Sequence, residues 1–472
     1  MSLVSTHFLF LFLPCALAVY YLARKRLREF VLLAFSILFY YFEPKRFLLL
    51  FLCTVAFTVL VGRLLARSKN ERSRKLLFLF GLAFQLLPLL CCKYSAFFLG
   101  ELGRLTGRAY TFGALALPLG ISFYTFKGIS YLADLYGRRA VPEGSPLHDA
   151  LYLSFFPQLQ CGPLSRYDAL RLSDRFEAGR FAFFSGGVRR FLVGFCKKVL
   201  LADVLFNLVE EVFSAPFSSF SCSYAWLGSL CYSLQLYYDF SGYSDMAIGL
   251  TRMFGYDCCE NFDYPYLTDS VSHFWRRWHI SLSQWFRDYV YIPMGGSRSE
   301  SRSRVYFNLL TVWLLTGLWH GANWTFLFWG LGYFVLISFE RLTGLPGRLK
   351  RGWARAAWRV GSLLFINLQW IVFRSPSLSF AFSYIRRLFR CAANPLADSR
   401  VLFLLREYRV FLIGALLLCF PLGERLRRLC AKDRRTQYAF EIVSALVIAL
   451  LFLWALSYVF AGQNNPFAYA NF

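Results

Sequence analysis

Charge is scarce in this 472-residue chain, and negative charge scarcer still. Charged residues make up 17% of it, with 27 Asp and Glu against 52 Lys and Arg, while 57% of residues are hydrophobic. A soluble domain of this size cannot hide so much apolar surface, so the composition describes an all-α polytopic membrane protein whose first partner is lipid. The 13 cysteines contain no CxxC pair and no Cys/His cluster at metal-ligand spacing. That leaves no metal site to predict, and it favours small buried hydrophobes over a disulfide framework. A leading basic residue is missing from the N-terminus, where RKRLR (24–28) follows the apolar run instead. Such an order reads as a membrane anchor rather than a cleaved signal. Also lacking are a nucleophilic serine motif, a glycine-rich phosphate loop, an internal repeat and a soluble domain. The net charge of +25 is spread in short basic clusters between apolar spans. The positive-inside rule produces that pattern, and it excludes nucleic acid as the partner.

What is present begins with spans. Residues 6–23 can cross a bilayer, with RKRLR at their cytoplasmic end and the N-terminus outside. Further apolar runs reach Phe42 and fill 47–66 and 76–99, with the basic loop RSKNERSRK (67–75) inside. From residue 117 the pattern changes. LPLGISFYTFKGISYLADLYGRR places Lys127 in an apolar segment, and SFFPQLQCGPLSRY (154–167) is broken twice by proline. Broken backbone at membrane depth is tolerated where it is buried in protein or lines a cavity. In LQLYYDFSGYSDMAIG (234–249), Asp239, Ser241, Tyr243, Ser244 and Asp245 interrupt an apolar helix. They are read either as a polar tunnel lining or as bridges to neighbouring helices. The last spans fall near 360–373, 409–422 and 440–461, which leaves GQNNPFAYANF outside.

The chain is organised around residues 273–330. HFWRRWHISLSQWFRDYVYIPMGG spaces Trp275, Trp278, Trp285 and Tyr289 by helical intervals around His279, with Arg276, Arg277, Arg287 and Asp288 alongside. So much charge predicts a helix in the interface or inside protein rather than against lipid. His320 is the lone ionisable side chain in VWLLTGLWHGANWTFLFWGLGYFVL. An isolated intramembrane histidine is a functional candidate by default. Basic stretches at 297–304 and 341–359 flank this run, so both flanks are expected in the cytoplasm. A turn at WHGAN then gives two arms of about fifteen residues, roughly 23 Å each and short of the bilayer core. A tilted helix followed by a short one is the alternative.

Taken together, PLGISFYTFKGISYLADLY, FPQLQCGPLSRY, YYDFSGYSDMAIG, FWRRWHISLSQWFRDYVYIPMGG, GLWHGANWTFLFWG and NPFAYANF resemble the membrane-bound O-acyltransferase family. Within it, the bacterial polysaccharide branch of the alginate O-acetyltransferase membrane subunit is the nearest in wording. The motifs extend from residue 117 to the end. Cys161 stands where a small residue such as Ala is the family habit. The resemblance implies a bundle of about 11 tilted helices around a tunnel. One membrane domain is expected, with peripheral spans at 1–100, a catalytic core at 117–340, C-terminal spans at 360–461 and an extracytoplasmic tail at 462–472.

The same resemblance makes His320 and His279 the catalytic residues. Trp275, Trp278, Trp319, Asn323, Asp239, Ser241 and Asp288 are candidates for the substrate tunnel. Asn323 shares a face with His320 if the helix is continuous. The implied activity is transfer of an acyl group, acetyl in the first instance, to an extracytoplasmic polysaccharide such as alginate, peptidoglycan or another exopolysaccharide. The donor is acetyl-CoA or an acyl carrier protein thioester on the cytoplasmic side of a bacterial inner membrane. No permanently bound cofactor is implied, and the partner is a secreted SGNH-hydrolase-like acetyltransferase. Histidine, with an ordinary pKa of ~6.5, suits the removal of a hydroxyl proton. The tail is read in two ways: Tyr469 as an acyl relay, or as a dock for the partner or the membrane. D-alanyl transfer to teichoic acid is the alternative activity. A transporter is the alternative of a different class, but inverted repeats and paired broken helices are not seen. The basic flanks yield a topological prediction. A cysteine introduced at residue 300 should react only with reagent admitted to the cytoplasmic face; labelling from outside would invert the scheme.

Overall fold

The computed structural model describes residues 2–467 apart from 43–44, 109, 111–116, 143, 171–172, 174–175, 177–178, 218–220, 299–300, 390–397 and 464. Among the described residues the chain is helical and no β-strand occurs. It runs through α1 (Leu48–Arg67), α2 (Glu71–Thr106), α3 (Ile121–Tyr136), α4 (Arg180–Cys196), α5 (Cys222–Met253), α6 (Val271–Trp275) and α7 (Ile280–Phe286). Then follow α8 (Arg302–His320), α9 (Trp324–Thr343), α10 (Gly352–Arg374) and α11 (Arg434–Phe460), with shorter helices between. Five of these, α1, α2, α9, α10 and α11, are long and apolar enough to cross a membrane, and Phe8–Leu22 and Arg409–Leu418 are shorter apolar helices. This is a multi-pass membrane protein. The long apolar helices are fewer than the eleven spans expected because several interior helices carry charge. Asp239, Asp245 and Arg252 lie on α5, and α8 opens with Arg302 and Arg304. The outer helices are lipid-like on their open faces: Val443, Leu446, Leu450 and Leu453 of α11 are all exposed. Among the described residues every cysteine is free; Cys161, Cys231 and Cys419 are buried as expected, whereas Cys15, Cys53 and Cys91 are exposed.

Two compact units emerge, one built from Met1–Phe191 with Ser244–Cys259, the other from Leu192–Tyr243 with Glu260–Ala468. In the first, Arg74 of α2 closes the ends of two helices. Its guanidinium donates to the carbonyls of Leu65 (2.8 Å), Leu135 (3.1 Å) and Tyr136 (2.8 Å), all in the last turns of α1 and α3. Lys127 of α3 donates to the carbonyl of Tyr152 (3.2 Å) and to Gln158 Oε1 (3.1 Å), so the proline-broken segment supplies one of its acceptors. Asp245 is bridged to Arg190 at 2.6 Å. Gly187 and Gly249 let α4 and α5 touch: a Cβ on Gly249 would lie 2.6 Å from the Gly187 carbonyl oxygen.

The second unit holds the central stretch. Lys198 sits between Asp203 (2.7 Å) and Asp239 (2.6 Å), all three buried, so Asp239 bridges to a neighbouring segment. The single helix expected around His279 is in fact two. α6 is five residues and α7 is seven, and His279 between them adopts a left-handed backbone, φ +45°. Aromatic spacing alone does not reveal the break. What allows it is Asn261, whose side chain receives the amide of Ser281 at the start of α7 (3.2 Å). Glu340 of α9 likewise accepts the Val271 and Ser272 amides, both at 2.8 Å, at the start of α6.

α8 and α9 form the hairpin expected at WHGAN. Their arms are 19 and 20 residues, about 28 and 30 Å, longer than the fifteen expected. The helices continue beyond Arg304 and Arg341 instead of ending there. The arms approach at two glycines: a Cβ on Gly317 would strike the Phe326 carbonyl, and one on Gly330 the Trp313 carbonyl. Gly330→Val should therefore cost about 1–3 kcal/mol through overpacking. It should lower the thermal unfolding temperature of the detergent-purified protein; an unchanged temperature would show that the arms separate freely.

Candidate active site

His320 is the last residue of α8, and Gly321 continues in extended backbone before the chain turns into α9. The imidazole is buried among aromatic rings. Trp319 lies at 4.7 Å, Phe373 at 4.9 Å and Trp329 at 5.0 Å between ring centroids. The helix ends just after the histidine, so the imidazole projects from its last turn at the hairpin tip. Asn323 is not on a continuous helix with it. Its Oδ1 accepts the Thr325 amide (3.1 Å) as the cap of α9, and its Nδ2 donates to the Pro376 carbonyl (3.1 Å).

His279 also packs near Trp319, with ring centroids 6.0 Å apart. The two histidines, 41 positions apart in sequence, thus share one indole neighbour. His279 is buried, and Phe240 packs edge-on at 4.5 Å. Its Nδ1 lies 3.2 Å from Asn261 Oδ1, which also receives the Ser281 hydroxyl (2.8 Å) and amide. The amide donor fixes that Asn261 atom as oxygen, so His279 Nδ1 must carry the proton and Nε2 must present its lone pair. Among the described residues Nε2 has no hydrogen-bond partner. His279 lies outside the membrane-spanning helices, and burial pushes its imidazole down to about 3. It is therefore neutral, with one basic nitrogen aimed by Asn261 and a strained backbone beneath it. Strain of this kind, of order 1–3 kcal/mol, persists where the surroundings over-determine a residue.

The other predicted residues separate into groups. Trp278 is core, packed against Trp370 (5.0 Å), Phe262 (5.1 Å) and Phe274 (5.4 Å). Trp275 stands between Trp313 (4.9 Å) and Trp329 (5.6 Å), and through Trp329 it borders the His320 cage. Asp239 is committed to Lys198, and Asp288 to its neighbour Arg287 (2.8 Å). Ser241 is buried with its hydroxyl unpartnered among the described residues. Tyr469 lies outside the described residues. The tail just before it turns inward: Phe467 is buried, edge-on to Tyr243 at 4.5 Å and under the Lys198 ammonium at 4.5 Å. The residues missed in the sequence were Asn261 and Lys198. Neither stands in an unusual local context, and their partners are 18 and 41 positions away.

A family model described as membrane-bound O-acyltransferase matches residues 36–383. The chain is 39% identical over 391 residues to a probable alginate O-acetylase, AlgI, of Pseudomonas aeruginosa, covering 82% of this chain and 74% of that protein. It is 32% identical over 413 residues to a peptidoglycan O-acetyltransferase of Helicobacter pylori (80% and 78%). A teichoic acid D-alanyltransferase of Bacillus subtilis is 29% identical over 240 residues (47% and 58%).

The geometry of His279 makes a prediction about stability. Asparagine tolerates the left-handed conformation, so His279→Asn should fold within about 1 kcal/mol of the parent. A loss of several kcal/mol in unfolding would make His279 a packing residue and nothing more.

Proposed function

The chain belongs to the membrane-bound O-acyltransferase family, and from that membership we propose that it moves an acyl group, acetyl in the first instance, from a cytoplasmic thioester to a cell-surface polysaccharide outside. The observation that carries the reading is that two buried histidines, His320 at the hairpin tip and His279 between α6 and α7, both neighbour Trp319. In this reading His320 takes the proton of the acceptor hydroxyl, and that oxygen attacks the thioester carbonyl. The C–S bond then breaks, and the thiolate leaves with the proton carried by the histidine. His279, neutral and presenting its Nε2 lone pair, accepts a hydrogen bond from the acceptor hydroxyl and orients it. Trp319, the neighbour of both rings, shapes the space in which the oxyanion forms.

The remainder of the proposal follows from the same premise. The donor is acetyl-CoA or a carrier-protein thioester reaching the basic ends of α8 and α9. The bundle of about eleven tilted helices encloses a tunnel in a bacterial inner membrane, with both termini extracytoplasmic. An SGNH-hydrolase-like acetyltransferase outside completes delivery. The alginate and peptidoglycan relatives cover most of this chain, which favours O-acetylation over D-alanyl transfer. A relay through Tyr469 belongs to the same proposal, with docking of a partner or the membrane as its alternative; Phe467, two residues earlier, packs against Tyr243. A tyrosine ester is more activated than a sugar ester because the phenol has a pKa of ~10.

Two measurements test this reading. With labelled acetyl-CoA, His320→Gln protein of unchanged thermal stability should transfer about 10²–10⁴-fold more slowly than the parent. Near-parental transfer would remove His320 as base. For the tail, Tyr469→Phe and deletion of 467–472 should both stop polymer acylation while donor binding persists. If Tyr469→Phe works and the deletion fails, the tail docks a partner and carries no acyl group.

A further inference from the structure

The chain does not simply trail away after α11. That helix ends at Phe460, and Gly462 in a left-handed backbone (φ +70°) turns the chain, with the Gln463 amide donating to the Tyr458 carbonyl at 3.0 Å. Beyond the turn the sequence stiffens. Pro466 fixes its own φ and favours extended backbone at Asn465. Exposure then falls along the tail instead of rising: Gln463 is exposed, Asn465 is half-buried, and Phe467, just past the exposed Pro466, is only 6% exposed. A large ring in such a segment is buried only where something receives it.

What receives it is a cluster of charge. Lys198, Asp203 and Asp239 are each 2% exposed or less, and the ammonium lies 2.7 Å from Asp203 Oδ1 and 2.6 Å from Asp239 Oδ1. One ammonium cannot by itself match two carboxylates, so a buried cluster of this composition draws on further donors. The tail supplies one. The backbone amide of Asn465 favours the Asp203 carboxylate, whose Oδ2 makes no hydrogen bond among the described residues. Phe467 then covers the ammonium, with 4.5 Å from Nζ to the ring centroid, where the face of an aromatic ring attracts a cation. Tyr243 stands edge-on to the same ring at 4.5 Å. It lies four residues after Asp239, on the same face of α5.

We propose that the Lys198–Asp203–Asp239 cluster and Tyr243 form a seat for the chain's own tail, which is latched there at Asn465 and Phe467. The latch has two kinds of contact, an amide on a carboxylate and a ring on an ammonium, and each depends on charge in the cluster. Its consequence is one of reach. A free tail from Gly462 to Phe472 can sweep about 35 Å, whereas from a fixed Phe467 the remaining chain reaches at most about 18 Å. The seat thus turns a loose tail into a short tether with a fixed origin. This goes beyond the transfer reading and depends on neither role assigned to Tyr469.

The test is amide hydrogen exchange in the full-length protein in nanodiscs, read by mass spectrometry at Asn465 and Phe467. In the parent both amides should exchange at least about tenfold more slowly than in a free peptide of residues 461–472. Phe467→Ala should bring Asn465 close to the free-peptide rate while α11 exchanges as in the parent, which shows an intact fold. Phe467→Leu keeps apolar bulk and loses the ring face, so its protection should fall between the two. Asp203→Asn leaves Lys198 paired with Asp239 and should also speed exchange at Asn465. Free-peptide exchange in the parent overturns the inference, as does parental protection in Phe467→Ala. Release by Phe467→Ala with parental protection in both Phe467→Leu and Asp203→Asn overturns it too, since apolar burial alone would then hold the tail. No acyl transfer enters the readout, so the latch stands or falls apart from His320 and Tyr469.

Discussion

The site depends on the close approach of α8 and α9 at Gly317 and Gly330. Backbone contact at those points brings the two arms close enough for the turn between them to be short, three residues from His320 to Trp324. Asn323 caps α9 and ties the turn to Pro376, so little freedom remains. Small residues at helix contacts replace the hydrophobic driving force that is missing between helices in lipid. A side chain at either glycine would move the helix that carries His320.

A second constraint acts on His279. A buried imidazole surrounded by rings has few acceptors for its N–H, and an unmet donor is costly. Asn261 meets that need, and in doing so chooses the tautomer. The helix break at residues 276–279 is the backbone consequence, because a continuous helix would carry His279 past Asn261. The same logic explains the buried charges. Lys198 is matched by two aspartates, so the polar interruptions of α5 are tolerated as paired groups.

Much of this was legible in the sequence, for identifiable reasons. His320 stood out as an ionisable group in an apolar run, and the glycine and asparagine of WHGAN marked the hairpin turn. Arg304 and Arg341 do not mark the ends of the arms, because long basic side chains reach outward from a continuing helix. The break before α7 was hidden because its cause, Asn261, lies 18 residues upstream. Aromatic spacing made Trp275 and Trp278 look alike, yet Trp275 borders the His320 cage through Trp329, while Trp278 fills the core. Pairings across tens of residues, such as Lys198 with Asp239, leave no local trace.

The central claim is that a neutral His320 removes the proton from the acceptor. Its most direct test is the pH dependence of single-turnover acyl transfer, measured for the parent and for His320→Gln between about pH 5 and 8. The parental rate should climb with pH through a single ionisation and then level off, and that ionisation should vanish in the variant's residual rate. A parental profile without the ionisation, or one that persists unchanged in His320→Gln, would contradict the account.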